Sequence, residues 1–544
     1  MARSRSGALK GYATVGGNTN VVPTSSRRSA VAHRAGTPLD EARACWSSGE
    51  FVRLLAVLGD ARLERREDRV AASHLEARAL LALDRPKEVA ALLQRAIDEN
   101  HGVEETARSQ MLLGAAMTRT NQREQGESVL EQAAELAQRG AAGLASEIAY
   151  YRALSRWSSH RLTEAEEIVE AALPAASGVI RSRLLQLLGW IDVRRENYGA
   201  AVHEFSAALD ELKQTQETDV KGRSRILNAL GIIAAETIDL RLGRLVRREY
   251  ETSTWSDDTR IERFQVLQYL AWLSLLEGDV ARAWDERQFA LTLTVDTSHH
   301  AMALVNAAHL AGIVGDRFSE SRYLQLAGAL LLRGDQVGID VERRIALLAF
   351  AAASAADPAT ARKVLALYDR TRPRRAELLA FEGDRRVEAY ELYARGRAAI
   401  ADGQRQQGIA LLVRALELWT RLTYRLRAAI TANVLRTVSG DRAHAQTALD
   451  ALRNAPKAWL RVPLEQRSSE DGALGQLTAA ERRVLGELCK GKKAREIAAT
   501  FDRSFNTINN HTRAIFSAFG VRSRAALVAE CARLGILDDV GNRR

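Results

Sequence analysis

The chain has 544 residues, 46% apolar and 6% aromatic, with 8 Pro, 3 Cys and a formal net charge of +10 at pH 7. Such a length exceeds one ordinary core, and a mix rich in Ala, Leu, Arg and Glu favours helix over sheet, which predicts an all-α protein. Cys45, Cys489 and Cys531 show no paired spacing and no apolar run approaches bilayer length, so a disulfide framework, a zinc site and a membrane span are excluded and a cytoplasmic location is expected.

Residues 1–36 carry six Lys or Arg and no acid, the first being Asp40. They lack an apolar signal core and are expected to be a disordered basic tail, or residues upstream of the true start.

From 37 to 460 one pattern recurs. A helical apolar segment ends in a short polar turn and a second helical segment follows. The turns fall near Gly49, Asp84, Asn121, His160, Asn197, Asp239, Asp279, Asp316, Asp357, Gly403 and Asp441, with 35 to 46 residues between successive ones. This period signals stacked helical hairpins, each burying its apolar stripe against its neighbours and together curving into a superhelix with an extended groove. In residues 187–209, LLGWIDVRRENYGAAVHEFSAAL, Gly189 is small where two helices approach, and Ala201, Phe205 and Ala208 follow. That unit resembles the tetratricopeptide repeat; residues 271–290 keep part of the pattern. The resemblance implies that the groove takes a peptide, a protein segment or a small ligand.

Little in the array suggests chemistry. His299–His300 is expected in a solvated loop. The basic runs Leu242–Arg248 and Arg370–Arg375 are explained by solvated faces. Trp157, Trp190, Trp272 and Trp284 are expected to pack between helices. No catalytic constellation, metal cluster or dinucleotide loop is present, so no enzyme activity and no cofactor are expected. GELCKGKK at 486–493 fits a phosphate-loop spacing but lacks the final Ser or Thr and follows a helix rather than a strand.

Residues 461–474 have linker composition, and 475–537 form a compact unit before a short tail, 538–544. Thr478 with Glu481 makes a capping box. Gly491 is placed to end that first helix. A second helix over 494–500 and the turn Asp502-Arg503-Ser504 lead to a third helix capped by Ser504. A fourth runs from Arg524 to Leu534. Two short helices joined by a three-residue turn are a helix-turn-helix.

In the third helix Ile508, Ile515, Phe516 and Phe519 supply the inward stripe. The opposite stripe is Asn506, Asn509, Asn510, Arg513 and Ser517. Asn pairs bidentately with adenine and Arg with guanine on their major-groove edges, and a helix fits that groove. Residues 474–537 hold eleven Lys or Arg against five Asp or Glu, a local net of +6. Charge and stripe together point to double-stranded DNA, with Lys492, Lys493, Arg495, Ser504, Thr507 and His511 placed to meet phosphates. An ordinary solvated helix would not need both.

Residues 477–521 resemble the LuxR-type DNA-binding domain of bacterial regulators. The matching positions include Leu477-Thr478, Glu481-Arg482, Val484-Leu485, Gly491, Glu496-Ile497-Ala498, Ser504, Thr507-Ile508, His511, Ile515 and Gly520-Val521. The pattern is departed from at Ala480, Arg503, Asn509 and Ala518. The resemblance implies base contacts by Asn509, Asn510 and Arg513, and dimerisation through the fourth helix, at Leu527, Val528 and Cys531. It also implies a nucleoid-associated transcription regulator that acts as a homodimer and meets RNA polymerase. Without a nucleotide-binding loop or a receiver pattern, its control is expected from a protein, peptide or small ligand. The alternative is a repeat scaffold whose helix-turn-helix only joins proteins. Base-reading side chains distinguish the two, because only they make binding depend on sequence.

Overall fold

A computed structural model describes residues 37–533 apart from 98–101, 121, 160, 216–218, 294–296, 333–340, 371–384, 462–463 and 465–476. The expected basic tail, most of the linker, the C-terminal tail, and the turn residues Asn121 and His160 lie outside these. Every regular element among the described residues is helical. The fold is a superhelix of tetratricopeptide-like hairpins followed by a small four-helix module that contains a helix-turn-helix.

Each expected turn that is described separates the two helices of one hairpin. Gly49 closes Pro38–Ser48 in the left-handed region, at φ 73°. Asn197, Asp239 and Asp441 each cap a second helix by accepting a backbone N–H. Aspartate and asparagine recur here because their short side chains satisfy the free amides of a helix start.

Inside the hairpins, one spacing repeats beyond the unit legible in the sequence. Gly189 is followed twelve residues later by Ala201, and Gly114–Gly126 and Gly396–Gly408 keep the same interval. Sixteen residues after the first small residue stands Phe205, Leu130 or Leu412, and a Cβ built on the glycine would lie within 2.9 Å of that side chain in each case. The small residues let the two helices touch, and the large one fills the crossing. Gly126→Val is expected to lower stability by about 1–3 kcal/mol, because its Cβ would stand 2.7 Å from the Thr118 backbone nitrogen, which cannot give way. A fall in the thermal midpoint of the full chain checks this.

Ties between residues 189 to 207 apart in sequence recur along the stack. The Ser256 hydroxyl donates to the Gly49 carbonyl at 3.0 Å, and the Val52 amide donates to Asp258 at the same distance. Arg385 pairs with Glu196 at 3.4 Å, and Arg427 with Glu236 at 2.9 Å. Near the end of the array the Trp459 amide donates to the Leu275 carbonyl at 3.1 Å. Such long separations mean that successive superhelical turns touch. Half-open cavities lie along the array where the groove was expected. The largest core extends from Leu185 to Leu464, so array packing continues into the segment with linker composition.

Two expectations for array residues need correction. His299 and His300 sit in the helix Thr297–Val314, and the His299 ring packs edge-on to Phe264 at 5.5 Å, not in a solvated loop. Arg247, expected on a solvated face, is 8% exposed. It ion-pairs with Glu286, and its other terminal nitrogen donates to Ser274 Oγ at 2.7 Å and the Leu270 carbonyl at 3.1 Å. Trp272 packs between helices and also lines a cavity among arginines.

Candidate nucleic-acid interface

The module begins with the capping box. The Thr478 amide donates to Glu481 Oε2 at 2.8 Å, and the Glu481 amide donates to Thr478 Oγ at 3.3 Å. Helix Ala479–Cys489 follows. Gly491, at φ 96°, turns the chain out of it in a conformation that side chains disfavour. Helix Ala494–Phe501 ends at Asp502, at φ 50°, a left-handed position that aspartate tolerates. Ser504 then caps helix Phe505–Ala518, accepting from the Thr507 amide at 3.1 Å. Helix Arg524–Arg533 completes the unit.

Hydrogen bonds from Thr478 and then the approach of His511 hold the Glu481 carboxyl below the usual carboxylate range. A carboxylate depressed in the folded state stabilises above its unfolded pKa, and this is lost as pH falls through the folded value. Thr478→Ala is therefore expected to cost about 1 kcal/mol at pH 7, with a smaller difference from wild type in acid. Thermal melts of the two proteins at pH 7 and near pH 3 check it.

The core joins Val484, Leu485 and Leu488 of the first helix to Ile497, Ile508, Ile515, Phe519, Leu527 and Cys531. Phe516 packs against it partly buried. With those residues turned inward, the third helix exposes Asn506, Asn510, Arg513 and Ser517, and Asn509 is half-buried beside them. The line from 506 to 517 runs about 16 Å along the axis. Among the described residues no hydrogen bond or ion pair holds Asn506, Asn509, Asn510 or Arg513. Three amides, one of them half-buried, and a guanidinium thus line one face with their donors and acceptors unspent, which is the chemistry that base edges require.

The flanking polar residues differ in their freedom. Lys493 and Arg495 are exposed, and the Arg495 guanidinium lies 5.8 Å from the Phe505 ring. Lys492 is engaged by Glu487 at 2.5 Å. Ser504 and Thr507 bond each other at 2.8 Å, and His511 faces Glu481 at 3.7 Å. Sequence reading missed Phe505, which stands 44% exposed at the start of the third helix. A phenylalanine directly after the cap, one turn ahead of the apolar stripe, was the available signal.

The fourth helix corrects an expectation. Leu527 and Cys531, assigned to dimerisation, are fully buried in the module's own core against the first helix. A short helix cannot present one apolar face to its core and the same face to a partner. Val528 is half-buried and Ala525 exposed, so a partner would meet the face that carries them.

A family model described as bacterial regulatory proteins, luxR family, matches residues 475–530. Among solved structures, a Rap protein complexed with competence and sporulation factor is 13% identical with a TM-score of 0.44, over 74% of this chain and 100% of that one. The apo form of RapI is 10% identical with a TM-score of 0.36, over 72% of this chain and 98% of that one. Both likenesses are distant. No curated protein matches the chain. No helix among the described residues is long and apolar enough to cross a membrane.

Proposed function

We propose, from the luxR-family match over residues 475–530, that this chain is a sequence-reading transcription regulator whose array receives its signal. The unspent polar face of helix Phe505–Ala518 carries this reading. That helix enters the major groove, where Asn506, Asn509, Asn510 and Arg513 read base edges. Phe505 at its start is placed to meet a thymine methyl group. Lys493 and Arg495 neutralise phosphates at the groove's edge, with Lys492 exchanging Glu487 for phosphate. Ser504, Thr507 and His511 border the same strand.

The protein acts as a homodimer through the Ala525 and Val528 face, and meets RNA polymerase when bound. Its working division is an array over 37–460, a linker over 461–474 and the DNA-binding module over 475–537. The array, a stack of hairpins with cavities between its helices, serves as sensor or docking platform. Selection of bound duplexes from a random pool by the full chain tests the reading. Enrichment of one motif, in paired half-sites, is the expected result. A bound pool with no preferred sequence would contradict it.

A further inference from the structure

The core slot sixteen residues after the first small residue of a hairpin holds Leu130, Phe205 or Leu412 in three cases. In the hairpin of Arg260–Glu277 and Val280–Leu293, counted from Ala271, the same slot holds Arg287. Arg287 is 2% exposed, donates to Gln268 Oε1 and stacks 5.3 Å from the Trp272 ring centre. Its Nε has no hydrogen-bond partner, and no ion pair is found for it among the described residues. Burial lowers its pKa to about 9. A buried guanidinium that makes no ion pair is expensive, and Glu286 beside it is already engaged by Arg247, so stability alone does not explain this position.

The other face of this cluster is open. Trp272, His309, Tyr390, Arg397, Arg427 and Trp459 line a cavity of about 520 Å³, within the usual size of a small-molecule site. The His309 and Trp459 rings lie 5.2 and 5.9 Å from Trp272, and Arg427 is 5.4 Å from the Tyr390 ring. His309 Nε2 is sealed from solvent without a partner. Burial, then Arg287, Arg427 and Arg397, hold its pKa down to about 4, so the ring adds no charge to this wall at pH 7. Arg427 is neutralised by Glu236. Among the described residues Arg397 makes one side-chain hydrogen bond, to the Tyr393 hydroxyl at 3.4 Å, and no ion pair. The wall's carboxylate, Glu320, is turned against Gly312.

We propose that this cavity binds a small organic anion with a flat aromatic body, its acid group at Arg397 and its ring among Trp272, Tyr390 and Trp459. Aromatic walls give such a body area and specificity, and a half-buried guanidinium without an ion pair gives the acid a partner. This deepens the sensor reading of the array, and its test does not depend on DNA.

The probe is 8-anilinonaphthalene-1-sulfonate, an aromatic anion that fluoresces in apolar sites, set beside N-phenyl-1-naphthylamine, which has the rings without the acid. The full chain is expected to bind the anion saturably, one per chain, and at least about ten-fold tighter than the neutral probe. Arg397→Gln, which removes one weak internal hydrogen bond, should cost the anion about ten-fold and leave the neutral probe unchanged. Ala349→Phe, from a half-buried wall position, should weaken both. Equal affinity for the two probes, or anion binding untouched in both variants at an unchanged melting temperature, would overturn the proposal. Either result leaves the duplex selection free to succeed or fail by itself.

Discussion

Asn510→Ala/Arg513→Ala is expected to lose about 2–6 kcal/mol of binding to the selected duplex, about 1–3 kcal/mol for each base-reading side chain. Both residues are exposed on helix Phe505–Ala518 and neither contributes to the module's core, so the variant should melt with wild type. Binding to unrelated duplex should change far less, because that term comes from phosphates. Lys493→Ala provides the contrast. It removes an exposed cation outside the recognition helix, and should weaken all duplexes alike and reduce the salt slope by about 1. A double variant that bound the selected duplex like wild type would remove the stripe from the readout.

Arg427→Met is the largest structural effect expected, a loss of about 3–5 kcal/mol at pH 7. Glu236 is 3% exposed, and Arg427 binds it through Nε and a terminal nitrogen, each at 2.9 Å. The pair joins helix Arg425–Ser439 to helix Val220–Thr237, 191 residues apart, and so ties two superhelical turns. Methionine keeps much of the stem's volume but leaves a carboxylate buried alone.

The sign with pH follows from Glu236. Burial already pushes its carboxyl above the usual range, against the pull of Arg427. A carboxyl raised in the folded state binds more protons there than when unfolded. It therefore destabilises at pH above its folded value and is relieved as pH falls through it. Without Arg427 that penalty grows, so the deficit of the variant should be largest at neutral pH and shrink in acid. Adding Glu236→Gln should recover part of it. Thermal midpoints of the single and double variants across pH 5 to 8 decide this, and a pH-independent, wild-type-like midpoint for Arg427→Met would contradict it.

Much of the fold was legible because its determinants are local. Turn residues at Asn197 and Asp239, the Thr478–Glu481 box and the Ser504 cap act within four residues of themselves. The third helix of the module showed its two faces because period and polarity agreed over fourteen residues. What escaped was non-local. Nothing beside Glu236 announces that its partner lies 191 residues on. Arg247 read as a surface residue, since arginine is rarely buried; the hairpin geometry put it inside.

The fourth helix shows a different limit. Leu527 and Cys531 share a face, and periodicity alone cannot say whether that face meets the module's own core or a partner. Packing against the first helix resolved it, and moved the available surface to Ala525 and Val528. Phe505 was overlooked because it precedes the apolar stripe and belongs to neither face.

The central claim is that this helix reads sequence. The direct measurement is fluorescence anisotropy of the full chain with the selected duplex and with a scrambled one. Wild type would be run beside Asn510→Ala/Arg513→Ala at low and at physiological salt. A preference on the order of 10³-fold for the selected duplex that persists at physiological salt in wild type and collapses in the variant is the predicted result. Equal binding of both duplexes by both proteins, falling steeply with salt, would mean phosphate attraction alone and would contradict the account.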